Sequence, residues 1–491
     1  MAVDPSQPIP IYYQLKTLLL EEILEGRYGV DGRLPTEHEL CERFAISRTP
    51  VSRALTELAD DGVILRMRRR GTFVNPHGLR RPSGHPEVRV VVSEKFYGDV
   101  IAAAAPDGMN VSIVNVPLTS LHEALTHAVA EGRAPDLALL DSIWIAEFAV
   151  SGFLYALEDL DERWVRREHD ADFLAPLVAS NRSGGRTFGV SAFGSVAGIW
   201  YRRRELADRG LEPPRTWQQL RAVAAALVDD GIRHPLALPG GSKAGETTTY
   251  CLIAFLASNG ARVLADDRIY LDSRRTVETL AFLRGLVEDR AVAPDVVRYE
   301  WTRPIRLLAE RKAALSVGGS YEAQTLAEAL GIPISELREH VGFIPVPAGP
   351  RGRPASVAGS MSYAIFRQAA QPHLALRVLE RSVAPHTLAG LAERTGRLPG
   401  RRSAVELAAA RLPFVSQSAK ILERAVTRPQ IPLYPQVSRQ LQSMLEGVLT
   451  GRLAPAQAAA HAAELIEAIT GLPIVRERAR KPPAAAIDTA A

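Results

Sequence analysis

Two sets of side chains in this sequence could do chemistry on a partner, and arginine dominates the first. Arg48, Thr49, Ser52 and Arg53 fall within six residues, at a spacing that puts them on one flank of a helix near its N-terminal end. A guanidinium there can donate two hydrogen bonds to the guanine edge in the major groove of DNA. The positive end of the helix dipole also favours a nearby phosphate. Arg66, Arg68, Arg69 and Arg70 follow with no acid between them. On a hairpin tip such a cluster suits backbone phosphates or a narrow minor groove. The second set is Asp141-Ser142-Ile143-Trp144. It follows directly after an apolar, β-prone run, which places it at the carboxyl edge of a sheet, where open α/β sheets bind ligands.

Other chemistries find little support. The sequence has no G-x-S-x-G elbow, P-loop, H-E-x-x-H or paired C-x-x-C. His122 and His127 are five apart, not the one-turn spacing that pairs metal ligands, so they read as a solvated helix face and no metal site is expected. Cys41 and Cys251 lie in unrelated segments, which points to packing roles in a reducing compartment rather than a disulfide. The chain has 491 residues, 46% apolar and 23% charged, with a net charge of only +4. Such a chain folds into two to four units, and any affinity for nucleic acid must come from where the charge sits. The start, MAVDPSQPIP, has neither a basic n-region nor an apolar h-region. No run approaches the roughly 18 apolar residues that span a bilayer. A cytoplasmic protein without a membrane partner is expected.

The elements that must hold the first set are legible. Ile11, Leu15, Leu18, Leu19 and Ile23 form one helical stripe that stops at Gly26. Thr36-Glu37-His38-Glu39 fits a capping box. The helix it starts buries Leu40 and Phe44 and breaks near Ala45-Ile46. Ser47 can cap the next helix, with Pro50 tolerated in its first turn. Val51, Leu55 and Leu58 form its buried side, and Gly62 ends it. Strands are expected at 63–66 and 71–74, joined by the arginine-rich turn. Helix, helix, tight turn, helix, hairpin is the winged helix-turn-helix order, an α+β head over 1–75. Residues 76–87 read as a Pro- and Gly-rich linker, and 476–491 as a tail. Between them, strand-like runs at 88–92, 111–116 and 137–140 alternate with helical runs at 119–130 and 143–150, which argues for parallel α/β units.

The head resembles the GntR family of bacterial regulators. The matching pieces are IYYQLK at 11–16, LPTEHEL at 34–40, ISRTPVSRAL at 46–55, LADDGVI at 58–64 and RGTFV at 70–74. That resemblance implies DNA contacts from Arg48, Thr49 and Ser52, from His38 at the start of the second helix, and from Gly71 with Thr72 in the wing. Ser52 and His38 stand where relatives often carry arginine, which leaves the operator sequence open. Family resemblance and palindrome logic together imply a homodimer on a palindromic double-stranded operator.

Residues 88–475 resemble the carbohydrate-type family 1 of extracellular solute-binding proteins. The stretches that carry this include PDLALLDSIWIAEFAVSGFLYALEDL at 135–160, FGVSAFGSVAGIWYRRREL at 188–206 and GLEPPRTWQQL at 210–220. Later come ERKAALSVGGSYE at 310–322, VGFIPVPAGPRG at 341–352, AGSMSYAI at 358–365 and an end helix over 445–466. The resemblance implies a two-lobed (type II) periplasmic-binding-protein-like α/β body that closes on a ligand by a hinge. Residues 188–201 would cross between the lobes, and 313–316 would form part of the return. Asp141, Ser142, Trp144, Phe193, Trp301, Gly319, Ser320, Tyr321 and Ser360 would line the cleft. Carboxylate, hydroxyl and aromatic groups of this kind suit a sugar. The expected whole is a transcription regulator that senses a sugar or oligosaccharide and needs no cofactor. The alternative is a GntR-type regulator of the MocR class, with an aminotransferase-like body holding pyridoxal phosphate on a lysine. Lys243, in GGSKAGE, is the candidate lysine, but the Gly-Leu-Arg stretch expected after it is missing.

Overall fold

In a computed structural model, the described residues are 3, 11–24, 27–28, 32–60, 63–67, 70–75, 87–265 and 267–476. They divide into two compact units, Met1–Asp136 and Leu137–Ala491.

The first unit opens with α1 (Ile11–Leu24), α2 (Glu37–Phe44) and α3 (Arg48–Asp60), then the antiparallel hairpin β1 (Ile64–Met67) and β2 (Gly71–Val74). Leu15, Leu19 and Ile23 of the predicted stripe are buried with Leu40, Val51, Leu55, Leu58 and Ile64 in one cluster. Burying a side chain of this size contributes about 1.5–3 kcal/mol each, enough to fix three short helices around one centre. The capping box forms as read: Thr36 Oγ1 accepts the Glu39 amide at 3.3 Å, and Glu39 accepts the Thr36 amide at 2.7 Å. The break falls at Ala45, whose backbone is left-handed at φ 51°. Strand β1 runs one residue later than the hydrophobic pattern suggests. The stops read at Gly26 and Gly62 lie outside the described residues. So do residues 76–86 of the linker and 477–491 of the tail. The unit continues with β3 (Glu87–Val92), α4 (Lys95–Ala104), β4 (Asn110–Asn115) and α5 (Leu118–Ala130). Strands β3 and β4 pair in parallel, as the alternation of strand and helix predicts.

In the second unit the strands that position the site are β5 (Leu137–Asp141), β6 (Val190–Arg202), β7 (Leu236–Ala237), β8 (Leu315–Gly319), β9 (Val341–Ile344) and β10 (Ala358–Ile365). Strand order runs β5-β10-β6-β8-β7, with β9 also paired to β6. The 13-residue β6 changes partners midway. Residues Val190–Val196 pair with β10, whereas Ala197–Arg202 pair with β8 and β9. One strand thus joins two sheet halves, and the expected crossing (188–201) and return (313–316) lie side by side. Successive side chains of a strand alternate faces. On β6, Ala197, Ile199 and Tyr201 enter one apolar cluster, while Val196 and Trp200 enter another. Burial on both faces explains why apolar residues of this segment fall at both odd and even positions instead of on one side only.

Three helices of the second unit matter for the site: α6 (Glu246–Ser258), α7 (Tyr434–Leu449) and α8 (Pro455–Thr470). The end helix expected over 445–466 is two helices. Gly451, at φ +72°, takes the chain out of α7, and Pro455 opens α8 in its first turn, where no intrahelical donor is lost.

Candidate functional site

In the first unit, α3 presents Arg48, Thr49, Ser52 and Arg53 along one shallow depression, with Thr56 and Glu57. Arg48 is 83% exposed, yet it is not adrift. Its Nε donates to Glu37 Oε2 at 2.9 Å, and Arg66 from the wing strand donates to the other oxygen of the same carboxylate. Arg66 also reaches Thr56 Oγ1 at 3.0 Å. These hydrogen bonds, led by that from Arg48, hold the Glu37 carboxyl below its ordinary range despite its burial. Arg53 lies over the Tyr12 ring at 3.8 Å and donates to Glu57 at 3.3 Å. His38 is exposed on α2 and faces Glu42 at 3.4 Å. Gly71 turns the wing at φ +116°, a region glycine tolerates best. Arg70 is exposed, and Thr72 is half-buried with its carbonyl accepting the Leu34 amide. Arg68 and Arg69 lie outside the described residues. A helix N-terminus rich in donors beside a cationic hairpin is an arrangement able to meet a duplex.

In the second unit, Asp141 ends β5. Its Oδ1 accepts the Ile143 amide at 3.2 Å, capping the short turn that carries Ser142 and Trp144. The same oxygen accepts Arg428 Nη2 at 3.1 Å, and Arg428 Nη1 donates to Glu246 Oε1 at 2.9 Å. Asp141 belongs to the sheet half of β5 and β10. Glu246 starts α6, which packs in the cluster of β8 and the second half of β6. Arg428 therefore ties the two halves together while only 4% exposed. Glu246 also accepts Tyr434 Oη at 2.8 Å and Ser438 Oγ at 2.6 Å. Burial raises its pKa, and Arg428 is the main opposing influence. For Arg428 itself, burial works against the charge, but Asp141 and Glu246 outweigh it and keep the guanidinium protonated.

Beside this triad runs a line of aromatic rings. Arg428 lies over Tyr250 at 5.6 Å; Tyr250 and Tyr321 centroids are 6.4 Å apart, and Tyr321 and Trp301 are 6.3 Å apart. Tyr250 is buried and Trp301 is 44% exposed, so the line runs from the interior to the surface. Tyr250 Oη lies 3.2 Å from Ser195 Oγ. Ser320 Oγ accepts the Val196 amide at 3.1 Å, and the Gly319 carbonyl accepts Trp200 Nε1 at 3.1 Å. Ser360 is buried 3.2 Å from Ser362 Oγ. Trp144 is buried next to Ser142, and Phe193 is 3% exposed on β6 opposite Met361. The fold thus gathers Asp141, Ser142, Tyr321 and Trp301 around groups that sequence reasoning missed, namely Arg428, Glu246, Tyr250 and Tyr434. The one local signal for Arg428 was a charged residue in a loop broken by Pro429 and Pro432.

Lys243, the lysine of the aminotransferase alternative, is 59% exposed in a short turn and faces Glu300 at 3.5 Å. The two-lobed body around it lends that reading no support. Among the described residues, no group of His, Cys, Asp and Glu could hold a metal ion, and no helix is long and apolar enough to cross a membrane.

Residues 11–74 match the bacterial regulatory proteins of the gntR family, and residues 94–380 match the bacterial extracellular solute-binding proteins. The chain is 39% identical over 106 residues to an uncharacterized HTH-type transcriptional regulator, YurK, of Bacillus subtilis (strain 168), covering 20% of this chain and 44% of that one. It is 43% identical over 75 residues to the HTH-type transcriptional repressor NagR of the same strain, covering 15% and 31%. The chain thus spans less than half the length of these curated relatives. Among solved structures, the GacH receptor of Streptomyces glaucescens GLA.O, described unliganded and with acarbose, superposes with a TM-score of 0.70 at 20% identity. The superposition covers 79% of this chain and 99% of that one. With its carboxyl-edge site, its partner-changing strand and that match over most of the body, the chain belongs to the bacterial extracellular solute-binding protein family and carries a gntR-family domain at its head.

Proposed function

We propose that this protein is a ligand-responsive DNA-binding transcription regulator whose solute-binding body senses a sugar or oligosaccharide. The observation that carries the reading is the joining, in one chain, of a gntR-type head with α3 donors exposed and a two-lobed body whose halves meet at Asp141, Arg428 and Glu246. Carboxylates beside a line of aromatic rings are the chemistry a sugar needs, hydroxyls meeting Asp141 and the apolar ring face lying on Tyr321 and Trp301. The acarbose described with GacH is in keeping with that class. Ser142, Trp144, Phe193, Gly319, Ser320 and Ser360 complete the proposed cleft. Arg48, Thr49, Ser52, Arg53, His38 and the wing residues 68–72 make up the proposed DNA surface. The protein acts as a cytoplasmic homodimer on a palindromic operator. Ligand bound between the halves changes the spacing of the paired heads, and half-sites about one helical turn apart make affinity sensitive to that spacing. The protein is a binding protein rather than an enzyme.

Thermal melts of the full chain against a panel of mono- and oligosaccharides test the sensor assignment. A ligand at about 100 times its Kd stabilises by about 2.7 kcal/mol, so a clear rise with at least one sugar is expected. A flat response across the panel would remove the sugar from the reading.

A further inference from the structure

We infer that the body carries a second binding site, separate from the cleft, for a small organic phosphate. A concavity of about 700 Å³ in the second unit is lined by Arg262, Arg275, Arg351, Arg353 and Arg424, with Tyr270 on its wall and no Asp or Glu among its lining residues. Arg351 and Arg353 are two residues apart, but the other three come from separate segments, so no single run of basic residues accounts for the set. Like charges around one concavity repel each other, and the fold offsets this only in part. Arg351 Nε is held by Glu278 at 2.9 Å, and Arg275 Nη1 by the Gly260 carbonyl at 2.8 Å. Arg262, Arg353 and Arg424 are exposed, and their side chains have no hydrogen bond or ion pair among the described residues.

Among the described residues, the carboxylate paired with these five guanidiniums is Glu278, shared with Arg274, which leaves a surplus that a doubly charged anion would balance. A phosphomonoester fits because guanidinium forks pair with its oxygens two at a time. The volume holds more than a bare ion, falling within the range of small-molecule sites. The half-buried Tyr270 offers a ring against which the organic part can lie. A duplex is too broad to enter a concavity of this size, which argues for a small ligand over a nucleic-acid backbone.

Isothermal titration of the full chain, in low-salt buffer free of phosphate and sulfate, tests this with glucose 6-phosphate and AMP beside glucose and adenosine. At least one ester should bind about tenfold or more tightly than its phosphate-free counterpart, and which one binds separates a sugar phosphate from a nucleotide. The double variant Arg262→Ala/Arg353→Ala removes two unpartnered, exposed side chains, so its melting temperature should stay within about 1 °C of the parent. Its affinity for that ester should fall about tenfold or more. The site is refuted if neither ester outbinds its counterpart, or if the double variant binds the esters as the parent does. It is also refuted if the esters are inert and the double variant instead loses affinity for a DNA duplex.

Discussion

Replacing Arg428 with alanine removes the one cation between Asp141 and Glu246, and the structure fixes how much that should cost. Breaking a buried ion pair by deleting one partner costs about 3–5 kcal/mol, because the remaining charge stays buried and unpaired. Here two carboxylates are orphaned, but their side chains are 20% and 24% exposed. Tyr434 and Ser438 also continue to donate to Glu246. Both facts place the loss at about 3 kcal/mol. A unit the size of Leu137–Ala491 unfolds with an entropy of roughly 0.7 kcal/mol/K, so the melting temperature should fall by about 4 °C. The deficit should shrink as pH falls, since Glu246, whose pKa burial raises, no longer needs the guanidinium once protonated. Arg428→Lys, which keeps the charge but not the fork, should fall between the two. Circular dichroism melts at pH 7.5 and 5 provide the readout. If Arg428→Ala melts within about 1 °C of the parent at pH 7.5, the triad does not hold the sheet halves together and the latch argument fails.

Three further outcomes follow from the same geometry. Glu322 is 1% exposed, and burial pushes its carboxyl up to about 8 against the opposing Gly319 amide and Trp200 indole. The folded state then holds the proton more tightly than the unfolded one, so the parent loses stability as pH rises from about 4.5 to about 8. Glu322→Gln should gain an advantage across that window, on the order of a few kcal/mol, and chemical denaturation at pH 4.5, 6.5 and 8.5 would expose a flat difference if the reasoning is wrong. Trp301→Ala should weaken the sugar found in the panel by about 1 kcal/mol or more with little change in the ligand-free melt, and an unchanged sugar affinity would take Trp301 out of the cleft. Arg48→Ala should cost about 1–3 kcal/mol on the specific duplex and relax sequence preference; fluorescence anisotropy that shows no loss would misplace the reading helix.

The sequence was most legible where function and structure are local. The capping box at Thr36 and Glu39, the break at Ala45 and the stripe from Leu15 to Ile23 are decided by neighbours within a few residues. The two-sided burial of 190–202 shows only as apolar residues at both odd and even positions, broken by Ser191, Gly194, Ser195 and Gly198. What stayed hidden was contact across distance. Arg428 meets Asp141 from 287 residues away, and nothing in a proline-broken loop says which carboxylate it will find. Glu246 and Tyr250 carry no sequence pattern that marks them for a site, and the structure places both on α6. Only the fold shows that this helix end faces the edge where β5 stops. Among the aromatic residues of the proposed cleft, Phe193 and Trp144 are buried, Tyr321 is half-buried and Trp301 is exposed, with the Trp301 and Tyr321 rings tilted at 53°.

In the proposed function, occupancy of the cleft governs the grip of the head on DNA. Its most direct measurement is the affinity of the full chain for a labelled duplex, selected by the protein from a random library, with and without the saturating sugar from the melting panel. The expected change is about tenfold or more, about 1.4 kcal/mol of coupling. Identical binding curves, with the sugar confirmed bound under the same conditions, would contradict it.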